Sequence, residues 1–103
     1  MSDTELETTL AEALKEVFDP ELGYNIVDLG LIYGIEVRSG SAHIDLTTTT
    51  RGCPATDYIR GGVESCTASV PGINAVEVAM TYEPPWSPDR MSAEAKAHFG
   101  IEA

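Results

Sequence analysis

The sequence predicts an α+β fold: a two-layer sandwich with element order α-β-β-α-β-α, in which a small three-stranded mixed sheet carries helices on one face. Three observations predict it. Apolar residues recur at helical spacing in two stretches, one near the start and one after Cys53,. They alternate at strand spacing in three others, over 31–38, 42–49 and 75–82,. Strands and helices are interleaved along the chain, which favours helices packed against a sheet over separate bundles or sandwiches. A chain of 103 residues is read as a single domain, 1–103, long enough for a modest core without staples,.

The first helix is expected over residues 4–18. Thr4-Glu5-Leu6-Glu7 has capping-box spacing, and Leu6, Leu10, Ala13, Leu14 and Val17 form one apolar stripe,. Asp19-Pro20 ends it, because a residue before proline is pushed out of the α region,. Residues 19–30 read as a connector pinned to the core by Leu22, Ile26, Val27 and Leu29. Leu31, Tyr33, Ile35 and Val37 then alternate with polar positions, and Ile44, Leu46 and Thr48 oppose His43, Asp45 and Thr47. The tight Ser39-Gly40-Ser41 turn between these runs makes them an antiparallel hairpin,. The second helix carries Ile59, Val63, Cys66 and Val70 on its apolar stripe, is interrupted by Gly61-Gly62, where another backbone can come close, and ends at Pro71-Gly72. Val76, Val78, Met80 and Tyr82 face inward on a third strand. A proline-stiffened segment, 83–90, leads to a short helix over 93–99, capped by Ser92 and closed by Gly100,.

Charge excludes several function classes. The net charge is −11, and the six Lys and Arg are scattered. Binding a phosphate backbone or an anionic membrane surface needs clustered positive charge, so neither nucleic acid nor membrane is an expected partner. The acidity reads either as solubility or as attraction to a basic protein. No apolar run approaches the ~20 residues of a membrane span, and the acidic Ser2-Asp3-Thr4-Glu5 start is opposite to a secretory signal,. A cytoplasmic location is expected, with both cysteines as thiols,. Two Cys and two His, spread far apart, do not form a self-contained zinc site,.

Cys53 is the leading candidate for chemistry. It sits in Thr47-Thr48-Thr49-Thr50-Arg51-Gly52-Cys53-Pro54, between a strand and a helix. Proline suits the first helical position, which makes Cys53 the expected N-cap. There the free N–H groups and the dipole favour the thiolate, the form that attacks electrophiles and binds soft metals. Arg51 adds to the same effect, and Thr49 and Thr50 can hydrogen-bond the sulfur. Cys66, on the apolar stripe, reads as core. Asp19 and Glu21 flank Pro20 and read either as a solvated helix stop or as a rigid pair of carboxylates offered as hydrogen-bond acceptors or hard ligands, which their spacing alone does not decide,. His43, on a strand well short of Cys53, and His98 are poor candidate bases. Trp86, between prolines, is either a lid over the sheet edge or a docking anchor for a partner.

Four stretches together resemble the SufT/PaaD-like iron–sulfur cluster assembly family, also called metal-sulfur cluster biosynthetic proteins. They are Val17-Phe18-Asp19-Pro20-Glu21-Leu22, Ile26-Val27-Asp28-Leu29-Gly30-Leu31-Ile32, Thr48-Thr49-Thr50-Arg51-Gly52-Cys53-Pro54 and Glu83-Pro84-Pro85-Trp86-Ser87-Pro88-Asp89-Arg90-Met91-Ser92. The resemblance implies an iron–sulfur assembly-like domain and a maturation factor that helps deliver clusters to client apoproteins, working with the assembly machinery rather than as an enzyme. It implies Cys53 as the key thiol, the expected sulfur ligand, and gives weight to Asp19 and Glu21, which match the family's Asp-Pro-Glu motif; Thr49, Thr50 and Arg51 join them as near neighbours of Cys53 in the sequence. An iron–sulfur cluster usually takes four thiolates, so one such cysteine per chain implies a transient or shared ligand, within a homodimer or with a partner. The readings from other classes are a thiol enzyme using Cys53 as nucleophile, and a metal-free interaction subunit of an oxygenase system. The first lacks a Cys-x-x-Cys pair and an evident base,.

Overall fold

The first helix begins at Ser2 rather than at Thr4. The computed structural model describes residues 2–49 and 55–101. In it α1 (Asp3–Ala13) is capped by Ser2 Oγ, which accepts from Glu5 N at 3.2 Å. Glu5 closes the capping box. Glu7, expected to close a box with Thr4, instead reaches the sheet, where its carboxylate accepts Val37 N at 2.9 Å. That contact satisfies an N–H on an edge strand. The helix tightens into a 3₁₀ turn at Leu14–Glu16 and stops there, short of the expected residue 18.

The connector contains a minimal hairpin. β1 (Phe18–Asp19) pairs antiparallel with β2 (Tyr24–Asn25). Between them the chain turns on Asp19 and on Gly23, whose φ of +67° suits glycine,. The expected anchors hold: Ile26 and Leu29 are fully buried, and Leu22 and Val27 pack against the same core.

β3 (Ile32–Arg38) and β4 (Ser41–Leu46) form the expected antiparallel hairpin, and β5 (Ala75–Met80) adds parallel to β4, giving the order β3-β4-β5. Two phase predictions are corrected. A bulge lies between Ile32 and Gly34, so Tyr33 is unpaired. Ile32, not Tyr33, is opposite buried Leu46, and cross-strand partners share a face,. β4 ends at Leu46 rather than at 49, and Thr47 and Thr48 are both buried instead of alternating. β5 likewise stops at Met80, two residues early.

α2 (Thr56–Ala68) follows, with Ala55 as its N-cap rather than Cys53. Its buried stripe is Ile59, Val63 and Thr67. Cys66, expected in the core, is only half-buried at its edge. At Gly62 a Cβ would meet Val17 Cγ1 at 3.0 Å, so the helix lies close to the chain leaving α1 there. Gly61 has open space beside it.

α1 and α2 cover the face of the sheet that carries Ala42, Ile44 and Leu46. The other face presents Glu36, His43, Asp45 and Glu77 to solvent. A strap over 83–92 leads to α3 (Ala93–His98), whose Ser92 cap accepts Ala95 N at 3.1 Å as expected. None of the helices is long and apolar enough to cross a membrane, among the described residues.

Candidate functional site

β4, α2 and β5 form a parallel β-α-β unit. In open α/β arrangements ligands gather beyond the carboxyl ends of the parallel strands, where crossover segments leave the sheet. Here the segment leaving β4 carries the four threonines and runs on to Cys53 in the sequence. Thr47 N donates to Leu31 O at 2.8 Å and Thr81 N to Leu46 O at 2.9 Å, which fixes where the two strand ends stop.

A small cleft of about 200 Å³ lies at this end, lined by Thr48, Thr49, Tyr82, Glu83, Pro85 and Trp86. Of the expected site residues, Thr49 is therefore placed at the cleft. Thr50, Arg51 and Cys53 lie outside the described residues. Tyr82 and Glu83 were not singled out in the sequence. The signal that could have found them is their position just past the end of a strand parallel to β4.

The strap is fastened over this end. Trp86 Nε1 donates to Leu29 O at 2.7 Å, so the tryptophan is a pinned lid, half-buried against the core. Tyr33, freed from the sheet by its bulge, donates its hydroxyl to Pro84 O at 2.8 Å, and the Arg90 guanidinium lies 4.6 Å from the centre of its ring. Gly30, at φ +80°, lies against the Arg90 carbonyl, and any side chain there would collide with it. The Asn25–Asp28 pair closes the corner: Asn25 Nδ2 donates to Asp28 at 2.7 Å, and Ser92 N donates to Asp28 O at 2.8 Å. Asn25's hydrogen bond, helped by Ser92 and Lys15 against partial burial, holds the Asp28 carboxyl below its usual range.

Asp19 is buried, and its Oδ1 accepts Glu21 N at 2.8 Å and Leu22 N at 3.2 Å. The Asp-Pro-Glu motif is thus first a turn built on a carboxylate, and Glu21 is exposed at its tip,. Phe18, just before it, lines one groove with Asp57 and Tyr58 of the first turn of α2. The approach of Asp19 and Glu21 to Cys53 itself lies outside the described residues.

Cys66 Sγ donates to Ala13 O at 3.2 Å. Burial, reinforced by Glu16, pushes its thiol up from the usual range, so it is held protonated. His43 lies on the open sheet face, 2.7 Å from Glu77 and 3.0 Å from Asp45, whose hydrogen bonds raise its pKa. His98 stacks among Tyr24 and Phe99. Neither histidine lines the cleft. No group of three His, Cys, Asp or Glu side chains suited to a metal occurs among the described residues.

A small α+β domain with helices on one face of a three-stranded mixed sheet, and with a parallel β-α-β unit whose crossover carries both cysteines in the sequence, defines the class. The chain matches the iron–sulfur cluster assembly protein family over residues 7–80 and belongs to it. It is 40% identical over 98 residues to the Fe-S protein maturation auxiliary factor YitW of Bacillus subtilis, covering 94% of this chain and 96% of that one. It is 42% identical over 86 residues to the Fe-S protein maturation auxiliary factor SufT of Staphylococcus aureus, covering 82% and 98%. A crystal structure of a DUF59 domain from Bacillus anthracis superimposes with a TM-score of 0.93 at 40% identity, over 99% of this chain and 98% of that one.

Proposed function

We propose that this chain is a cytoplasmic maturation factor, a single assembly domain that helps pass iron–sulfur clusters to client apoproteins without catalysing a reaction of its own. Cys53 supplies the sulfur ligand. Thr49 and Thr50 donate hydrogen bonds to it, Arg51 favours its thiolate, and Asp19 and Glu21 are further partners of the site. The observation that carries this reading is the division of labour between the two thiols. Cys66 is raised in pKa and bonded to the Ala13 carbonyl, which leaves Cys53 as the chain's candidate thiolate.

A cluster here is cargo. One thiolate per chain falls short of the four that usually hold a cluster, so the remainder come from a second copy, a partner or a small thiol. Transfer is then ligand exchange: the Fe–S bond to Cys53 breaks as one to a client thiolate forms, with no net change in charge or oxidation state.

Anaerobic reconstitution with iron and sulfide tests the assignment. Cys53→Ser is expected to abolish cluster absorbance and Cys66→Ser to retain it. Loss in Cys66→Ser alone overturns the assignment. Failure of the wild type to take up iron, with client activation intact in cells, would make the chain an adaptor.

A further inference from the structure

An open groove of about 680 Å³ runs along α2, and none of its lining residues lines the cleft under the lid. Phe18 and Tyr58, the two exposed large hydrophobic side chains among the described residues, both line it. Tyr58 is 64% exposed and Phe18 48%, exposures at which burial by a partner returns substantial apolar area,. Between them Gly61 has nothing within 4 Å of the position of a Cβ, so the helix backbone forms an open floor. Glu16 and Asp57 line it as well, and among the described residues no Lys or Arg does. Arg60, the nearest cation on α2, is directed instead toward the Val78 carbonyl, 3.4 Å away.

Two aromatic anchors, a bare helical floor and an acidic lining complement an apolar segment that carries positive charge. A second copy of this chain is the wrong occupant: each copy has a net charge of −11, and pairing the groove with itself would set Glu16 and Asp57 against like charges,. We propose that this groove is the docking site for a basic, apolar-faced segment of a partner protein. It includes Asp57 and Tyr58 of the first turn of α2, four and five positions after Cys53 in the sequence. Affinity comes from Phe18 and Tyr58 and orientation from the acids, a contact that needs no bond to Cys53.

The experiment is a titration of the ¹⁵N-labelled full chain, followed by amide shifts, with two amphipathic peptides of roughly 15 residues, near the length at which isolated helices become marginal. One peptide pairs Leu with Lys, and the other has Glu at every Lys position. The Leu/Lys peptide is expected to move the resonances of Phe18, Tyr58 and Gly61, more weakly as salt rises, and the Leu/Glu peptide to leave them in place. Phe18→Ser with Tyr58→Ser should weaken binding by at least about tenfold. Gly61→Arg, which sets a cation on the open floor, should abolish it. The proposal is overturned by equal binding of the Leu/Glu peptide, by unchanged affinity in the variants, or by shifts centred on Glu36 and Glu77. Absence of shifts at about millimolar peptide overturns it as well, as do concentration-dependent shifts at Phe18 and Tyr58 without peptide, which would make a second copy the occupant. No cluster is present, and Cys53→Ser should bind like wild type, so the docking and cluster-transfer readings fail separately.

Discussion

Replacing Asp19 by alanine separates the structural work of the Asp-Pro-Glu motif from any contribution of its charge. Asp19 is 2% exposed, and one carboxylate oxygen accepts two backbone N–H groups, those of Glu21 and Leu22. Alanine leaves both donors without that acceptor. An orphaned buried donor costs roughly 1–3 kcal/mol, and loss of comparable capping side chains costs about 1 kcal/mol. These two donors sit near the surface and gain some hydration, so the expected loss is about 2 kcal/mol. For a domain of this size, at about 4–8 °C per kcal/mol, that lowers the melting temperature by roughly 10 °C. Asparagine keeps the accepting oxygen and loses only the charge-assisted part of the bonds, about 1 kcal/mol or less. Urea unfolding followed by circular dichroism should show this order, alanine well below asparagine, at constant denaturant slope. If asparagine is as destabilising as alanine, the charge and not the acceptor is what the fold uses, and the turn account is refuted. An unchanged midpoint for alanine refutes it too.

Other perturbations follow from single contacts. Thr67 is fully buried, and its hydroxyl has no hydrogen-bond partner among the described residues, so Thr67→Val should raise stability by about 1 kcal/mol in the same urea assay,. His43 has a raised folded pKa, so its contribution to stability is fully present below the unfolded value of about 6.5 and is lost as pH rises through the higher folded value,. His43→Gln should flatten the fall of the melting temperature above pH 6.5 and leave the rest of the pH profile in place. Iodoacetamide should alkylate the remaining Cys66 of Cys53→Ser more slowly than a free cysteine at neutral pH, measured by mass spectrometry, because its thiol is raised in pKa,.

Features that depend on neighbours in the chain were legible in the sequence. The Ser92 cap, the Gly40 turn and the Leu6–Leu10–Leu14 stripe each follow from residues within about one helical turn or one hairpin of each other,. The hairpin at Asp19 was missed because its strands are two residues each, too short to show a period. The phase of β3 was misassigned because a bulge at Tyr33 is stabilised by Pro84 and Arg90, more than fifty positions away.

The candidate site divides in the same way. Thr49 and the motif around Cys53 were recognisable as residue types in a pattern, and so was the family. The sequence by itself determined the order of the three α-helices and of the three strands of the main sheet, and the presence of one thiol set apart from the core pattern. Only the tertiary structure decided that β5 pairs parallel to β4, which brings Tyr82, Glu83 and Trp86 to the same cleft as Thr49. It also decided that Thr67 rather than Cys66 enters the core, and that Phe18 meets Tyr58 across an acidic groove. Periodicity states which residues share a face, because the spacing is set by local backbone geometry. The choice of neighbour for that face comes from packing between segments distant in the chain, and no local pattern carries that information.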